Sequence, residues 1–409
     1  MLLNRLYLAD FRNYRAADLE FGPGVTTLVG NNGQGKTNLV EAVGFLATQS
    51  SHRVATPAPL IRHGAQQAIV RAGTSRDGRD LSIQLSITPG QPLRAMVNKS
   101  AMPRARDALG LLRVVVFAPE DLSLVKGDPQ SRRRFLDDLL VVRAPRFAAV
   151  RSEYDRVLKQ RNSLLRNLSG RIDATGEATL QVWDEQLAGY GAQLLEARFY
   201  LLAQLAPLVA QAYEQVSDGG GTALLGYRCS VCAELSVTVT EQLAAAATGN
   251  PQPTPGRGDI ETAIRARLVE LRDKEAQRGL TLVGPHRDDV ELRLGELPTK
   301  GYASHGESWS FALSLKLASF NLLQADADTQ DGEPVLVLDD VFAELDASRR
   351  ARLAEQVGTA GQVLITAAVR ADIPGELTGR LIRIEAGGVL DDEDTAQSGA
   401  GPAEVRAWS

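Results

Sequence analysis

Residues 2–11 alternate apolar with polar or charged positions, the period-two signature of a strand with one face in a core. Residues 24–29 form a short apolar run that ends in a glycine-rich turn, a second strand. Further strands are predicted at 68–72, 81–87, 93–97 and 114–117, and the Asp77-Gly78 and Pro89-Gly90 turns make the 68–100 region antiparallel. From about Pro129 the period lengthens. Val150, Tyr154, Val157, Arg161, Leu164 and Leu168 recur every three or four residues, and so do Leu180, Trp183, Leu187, Tyr190, Leu194, Ala197 and Leu201. The pattern predicts two amphipathic helices joined by a turn around Gly170 and Gly176, a short antiparallel coiled-coil arm. At roughly 35 residues each, the arm helices would be about 50 Å long. Gly189 and Gly191 weaken the second helix.

Residues 244–258, rich in Ala, Pro and Gly, read as a loop, followed by a helix over 260–278. Strand character returns at 281–283 and 290–294, a helix is predicted over 302–323, and 334–338, 362–366 and 381–384 read as buried parallel strands. The expected architecture is α/β, with mixed sheets in a head built from both ends of the chain and a helical lobe inserted between them. Its parts are 1–125, the inserted lobe 126–278, and 279–390. Residues 391–409 are acidic and aperiodic and are expected to be disordered.

The 409 residues suffice for two lobes with their own cores. No run approaches the roughly 20 uninterrupted apolar residues that span a bilayer, and Arg5 and Asp10 interrupt the first apolar segment. No membrane association and a cytoplasmic location are therefore expected. Cys229 and Cys232 are too few for a disulfide framework. Without a second pair or a nearby histidine they are half a zinc site, and two ordinary thiols are expected. The net charge of −5 disfavours non-specific nucleic-acid binding, but residues 104–166 hold fourteen Lys/Arg against eight Asp/Glu. A basic segment in an acidic chain is an electrostatic footprint for DNA. Arg132, Arg133 and Arg134, with Arg143, Arg146 and Arg151, are its core. A spacing of three would put Arg143 and Arg146 on one helix face, a stripe that Arg151, five residues on, could extend. The alternative is that these arginines pair with Glu120, Asp137, Asp138 and Glu153 and merely cover the arm.

Gly30-Asn31-Asn32-Gly33-Gln34-Gly35-Lys36-Thr37 fits G-x-x-x-x-G-K-[ST] in full, between a predicted strand and a predicted helix. The glycines let backbone N–H groups curl around phosphate oxygens, and the helix start adds partial positive charge. Lys36 would neutralise the β/γ-phosphates of ATP and Thr37 would ligate Mg²⁺. The apolar strand that ends in Asp339-Asp340 supplies the opposing acids: Asp339 as the Mg²⁺ partner through water, Asp340 to polarise an attacking water.

Ser304-His305-Gly306-Glu307 before a helix, and Glu344-Leu345-Asp346 after the acidic pair, resemble the signature and D-loop of ABC-type ATPases. The resemblance implies that Ser304 and Gly306 bind the γ-phosphate held by a second copy, hence an ATP-dependent homodimer. Leu6-x-Leu8-x-x-Phe11-Arg12-Asn13-Tyr14 and Gly35-Lys36-Thr37-Asn38-Leu39-x-Glu41-Ala42 resemble SMC-like openings, and Arg12 and Asn13 are implied nucleotide contacts. The run 119–137, with Gly284-Pro285-His286-Arg287-Asp288-Asp289 and Asp340-x-x-Ala343-Glu344-Leu345-Asp346-x-x-Arg349, is similar to the RecF family over residues 1 to about 390. That resemblance implies repair, replication, recombination and SOS functions. It also implies double-stranded and gapped or single-stranded DNA as partners, and RecR, RecO and RecA as protein partners. Two departures stand out. Ala367 occupies the place of the ABC switch histidine, and no glutamine loop is obvious, Glu120 and Gln49 being the candidates. Both imply slow hydrolysis. Rival readings are an SMC-type DNA-tethering head, a transporter ATPase subunit and a small-molecule kinase. His52 and His286 are read as turn histidines or as sensors of nucleotide or DNA.

Overall fold

The computed structural model describes residues 1–391 except 77, 169, 171, 218, 220, 234, 236–238, 250–252 and 328–331. The acidic stretch 392–409 and Asp77 of the expected first turn lie outside the described residues.

The run 335–338 is apolar without alternation because both faces of its sheet are covered. Val335, Leu336, Val337 and Leu338 are all fully buried, the odd residues in one core and the even residues in another. Their sheet has the order β15-β14-β3-β13-β12-β8. It comprises β3 (Gly24–Val29), β8 (Val114–Phe117), β12 (Val335–Asp339), β13 (Gln362–Ala367), β14 (Arg380–Glu385) and β15 (Gly388–Asp391). All neighbours are parallel except the terminal β14–β15 hairpin. Parallel pairing brings the C-terminal ends of β3, β8, β12 and β13 to one edge, where ligand crevices form in such sheets. Segments some 300 residues apart thereby meet.

One face of this sheet shares a core with α1 (Lys36–Thr48) and with an antiparallel sheet of order β2-β1-β4-β5-β6-β7. That sheet contains β1 (Leu2–Phe11), β2 (Tyr14–Glu20), β4 (Ala68–Arg76), β5 (Arg79–Ile87), β6 (Arg94–Val97) and β7 (Ser100–Ala101). β2 is not visible in the apolar pattern; its antiparallel pairing with β1 makes it a strand. The other face packs on the helical side: α2 (Leu122–Lys126), α3 (Pro129–Arg143), α4 (Arg146–Leu168), α5 (Ala174–Val216), α9 (His305–Ala325) and α10 (Ala347–Val357). A small sheet, β9 (Ala223–Arg228), β10 (Asp289–Leu294) and β11 (Leu297–Pro298), joins this core with α6 (Val239–Ala247) and α7 (Arg257–Glu270).

The two expected arm helices are present but unequal. α4 has 23 residues and α5 has 43, about 34 and 64 Å at 1.5 Å per residue. They run antiparallel: Leu168 lies against Gly176, Arg161 against Asp184 and Tyr154 against Gly191. α5 is buried along most of its length, so it is the spine of the lobe as much as half of an arm. Gly191 fits because Ile264, Tyr154 and Pro285 crowd its Cα. The helix expected over 260–278 breaks at Leu271 into α7 and α8 (Arg272–Arg278). Residues 281–283 form no strand, and 244–247 are helical, not loop. Cys229 and Cys232 form a disulfide, which corrects the reading as ordinary thiols. Among the described residues no helix is long and apolar enough to cross a membrane.

Candidate nucleotide site

The loop 30–37 lies at the shared edge, between β3 and α1. Gly35 takes φ +116°, and a Cβ there would come within 2.7 Å of Asn13 and Tyr14 side chains. A Cβ on Gly30 would strike the Ile384 carbonyl. Both positions need glycine for stated reasons. No side chain caps the start of α1, so an anion can take that place; the N–H of Asn38 already donates to the Gly35 carbonyl at 2.9 Å. Asn31, Asn32 and Gly33 are exposed and Gln34 half-buried at the loop tip, where the backbone N–H of Gly387 donates to the Gln34 carbonyl.

Lys36 is buried, and its Nζ donates to the carbonyl of Gly30 at 2.7 Å and that of Asn31 at 3.4 Å. An ammonium folded over its own loop, with only weak dipoles as partners, is held for a stronger anion. Across the edge, Thr37 Oγ1 donates to Asp339 Oδ1 at 3.1 Å, and Thr366 Oγ1 donates to the same oxygen at 2.6 Å. Burial pushes the Asp339 carboxyl up to about 6, helped by the charges of Asp340 and Glu120 and opposed by the two threonine hydroxyls. A buried carboxylate next to a hydroxyl, with two further acids nearby and, among the described residues, no ammonium or guanidinium paired with it, is a donor set that fits Mg²⁺. Thr366 gave no sequence signal, because its role depends on β13 lying beside β12. Asp340 follows in a left-handed turn (φ 49°), its N–H held by Thr366 Oγ1 at 2.9 Å.

The remaining site residues divide. Asn13 donates to the Gln34 carbonyl at 3.2 Å and accepts from Asn38, so it braces the phosphate loop. Arg12 forms a two-point ion pair with buried Glu41, at 2.8 and 2.6 Å, which also receives Ser51 and Arg53. Those contacts hold the Glu41 carboxyl below its usual range against the upward push of burial. Arg12 therefore supports the loop's helix through Glu41, a partner the sequence did not reveal. Ser304 caps α9: its Oγ accepts from Glu307 N at 3.2 Å, and the Glu307 carboxylate accepts from Ser304 N at 2.8 Å. Gly306 is close-packed, its Cα facing the Arg349 guanidinium of α10.

Glu120 follows β8 at the same edge, close enough for its charge to act on Asp339. Gln49 instead donates to the Ala105 carbonyl at 2.5 Å. Ala367 ends β13, and its carbonyl accepts from Gly30 N; no imidazole stands there. His286 is satisfied locally, Nδ1 by the Tyr154 hydroxyl at 2.6 Å and Nε2 by Thr281 O at 3.3 Å. His52 is no surface turn: its Nε2 is buried without a partner, near Glu120 and Glu41, and burial lowers its pKa.

The six arginines expected to face DNA are mostly engaged within the molecule. Arg132 is 7% exposed and forms a two-point pair with Asp289 at 2.8 and 2.9 Å. Arg133 donates to Asp288 O, and Arg134 to Ser50 and Ser51. Arg143 pairs with Asp326 and Arg151 with Asp138. Only Arg146, stacked beside Phe147, is exposed among the six. The one-face expectation also fails, because α3 ends at Arg143 and α4 begins at Arg146. Burial of Arg132 corrects its reading as a phosphate contact.

The RecF/RecN/SMC N terminal domain family matches residues 2–378. The DNA replication and repair protein RecF of Frankia alni is 55% identical, over 95% of this chain and 99% of its own length. That of Kineococcus radiotolerans is 54% identical, over 93% of this chain and 96% of its own. A solved structure of the recombination mediator protein RecF with ATP, in the RecFOR pathway, covers 95% of this chain and 97% of that one, with a TM-score of 0.82 at 27% identity. With fold, sequence and phosphate loop agreeing over nearly its whole length, the chain belongs to the RecF family of DNA replication and repair proteins.

Proposed function

We propose that this chain is an ATP-gated DNA-binding protein of recombinational gap repair. Two copies close around ATP and Mg²⁺ on DNA at double-strand/single-strand junctions and help RecR and RecO load RecA, in the cytoplasm. The observation that carries this reading is the pairing of an uncapped, glycine-built phosphate loop with the Thr37–Asp339 couple. Lys36 would leave the Gly30 carbonyl for the β/γ-phosphates. Thr37 would hold the metal directly and Asp339 through water. Ser304, Gly306 and the start of α9 would meet the γ-phosphate on the other copy, anion capture at a helix N-terminus.

Hydrolysis would be slow, on the order of one turnover per minute or less against the ~10 s⁻¹ typical of enzymes. Asp340 is a weak substitute for a glutamate base, and Ala367 offers no imidazole. Asp340→Asn should trap the ATP dimer. The decisive experiment is the mass in solution with Mg-ATP, with Mg-ADP and without nucleotide. A dimer only with ATP, abolished by Ser304→Arg while the monomer still binds ATP, supports the reading. A dimer that survives Ser304→Arg refutes it. An SMC-type tether would need a rod far longer than the 23 residues of α4.

A further inference from the structure

The engaged arginines of α3 and α4 leave open where DNA phosphates would be met. The antiparallel sheet offers a different surface. Its two edges differ in charge: β2 mixes exposed Arg15 with Asp18, which is paired to Arg5, and Glu20, whereas the far edge, β6–β7 and the turn after it, bears Arg94, Lys99, Arg104 and Arg106 with no acid between residues 94 and 106. Arg94, Lys99 and Arg104 are exposed and Arg106 is half-buried. None of the four pairs with a carboxylate among the described residues. The nearest acid in sequence, Asp107, is used locally to accept from the Arg104 backbone N–H at 3.1 Å.

The edge is also rigid. Asn98 and Lys99 both have positive φ (48° and 66°), the conformation of a tight two-residue hairpin turn. The turn is pinned to β5 by Ser82 N→Asn98 Oδ1 at 2.9 Å and Asn98 N→Ser82 O at 2.8 Å. Gln49, in the left-handed cap that ends α1, donates to Ala105 O and so ties the edge to the helix that starts at the phosphate loop. β6 rises roughly 3.4 Å per residue, so Arg94 and Lys99 span roughly 10–14 Å, the axial rise of about three to four base pairs of duplex DNA.

We propose that the β6–β7 edge, with Arg94, Lys99, Arg104 and Arg106, is a phosphate-tracking surface for duplex DNA, coupled to the nucleotide helix through Gln49. The inference rests on the ATP-gated DNA-binding reading and gives it an address. Duplex DNA fits because the cations are mutually spaced along a fixed edge and no base-reading helix accompanies them.

The test combines Arg94→Ala, Lys99→Ala and Arg104→Ala in the full chain. It measures duplex affinity with Mg-ATP from 50 to 200 mM salt, and the ATP dimer by mass. Three lost phosphate contacts make the log–log salt slope shallower by about 2.7, so over that range the unmodified protein weakens about 40-fold more than the variant. A paired variant, Arg94→Lys with Arg104→Lys, keeps the charge and should keep the slope. An unchanged slope in the alanine variant, with ATP-dependent binding intact, overturns the inference alone. Absence of DNA binding by the unmodified protein overturns the functional reading and the inference together. Should the triple variant lose its ATP dimer, Lys99→Ala at the exposed turn decides: a slope shallower by about 0.9 supports the edge, and no change rejects it.

Discussion

Two regions of this molecule bury charge, and they do so in opposite ways. At the junction of α3, α5 and β10, Arg198 pairs with Asp137 at 2.8 and 2.9 Å and also donates to Tyr227 and Pro285 O. Asp288 accepts from Ser230 N and Tyr227, and Arg132 closes on Asp289. There the buried arginines Arg198 and Arg132 each meet a carboxylate at two points, and Asp288 sits behind them on Ser230 and Tyr227. At the phosphate loop, Lys36 meets only carbonyls and an amide oxygen, and Asp339 only hydroxyls. A buried charge satisfied by its neighbours is architecture, whereas one left with dipoles is an unfinished site. The first kind holds the helical lobe on the head; the second awaits a ligand.

The sharpest way to break this contrast is to delete one charge in each region. Arg198→Ala takes from Asp137 its buried two-point partner and leaves it Arg151 at 3.8 Å, so it should cost about 3 kcal/mol of stability, read by denaturant unfolding. Lys36→Met should leave stability unchanged. Its ATP affinity should fall by about 100-fold, the loss of a charged hydrogen-bond donor to phosphate, read by calorimetry. A destabilised Lys36→Met protein would erase the distinction.

A smaller effect comes from pH. Burial raises Asp288 to about 6, above its value in the unfolded chain. The folded state thus binds the proton more tightly, so this contribution to stability is present below about pH 4 and is lost as pH rises through about 6. Asp339 has the same sign and window. Asp288→Asn should flatten the decline between pH 4 and 6 in part, leaving the shares of Asp339 and of the other carboxyls that burial raises, Asp121, Asp138, Asp155 and Glu275; an undiminished decline would show that Asp288 is not the proton's seat. The smallest effect belongs to Arg146→Ala, which should change stability by no more than about 0.5 kcal/mol because Arg146 is exposed and stacks only beside Phe147. Arg132→Ala should cost several times that, since it removes the two-point partner of buried Asp289 and leaves it the exposed Arg228 at 3.7 Å; equal costs would contradict the burial of Arg132.

Elements whose identity is local can be read from residue order alone. The Gly30–Thr37 loop, the Val335–Asp339 strand and the Ser304 cap each announce themselves, because phosphate binding, two-sided burial and helix capping are imposed by residue types at short spacing. The antiparallel pairing of β4 with β5 was equally legible from alternation and turn residues. What tertiary structure alone decided is who neutralises whom. Nothing in the run Arg132-Arg133-Arg134 says that Asp289, Asp288 and Ser50 wait across the core, or that Thr366 completes Asp339. Electrostatic partners are fixed by distance in space, and the parallel sheet and the long α5 bring together charges that the chain keeps far apart. Local charge density therefore overstated the run of arginines in α3 and α4, since Arg132, Arg134, Arg143 and Arg151 meet carboxylates inside the fold.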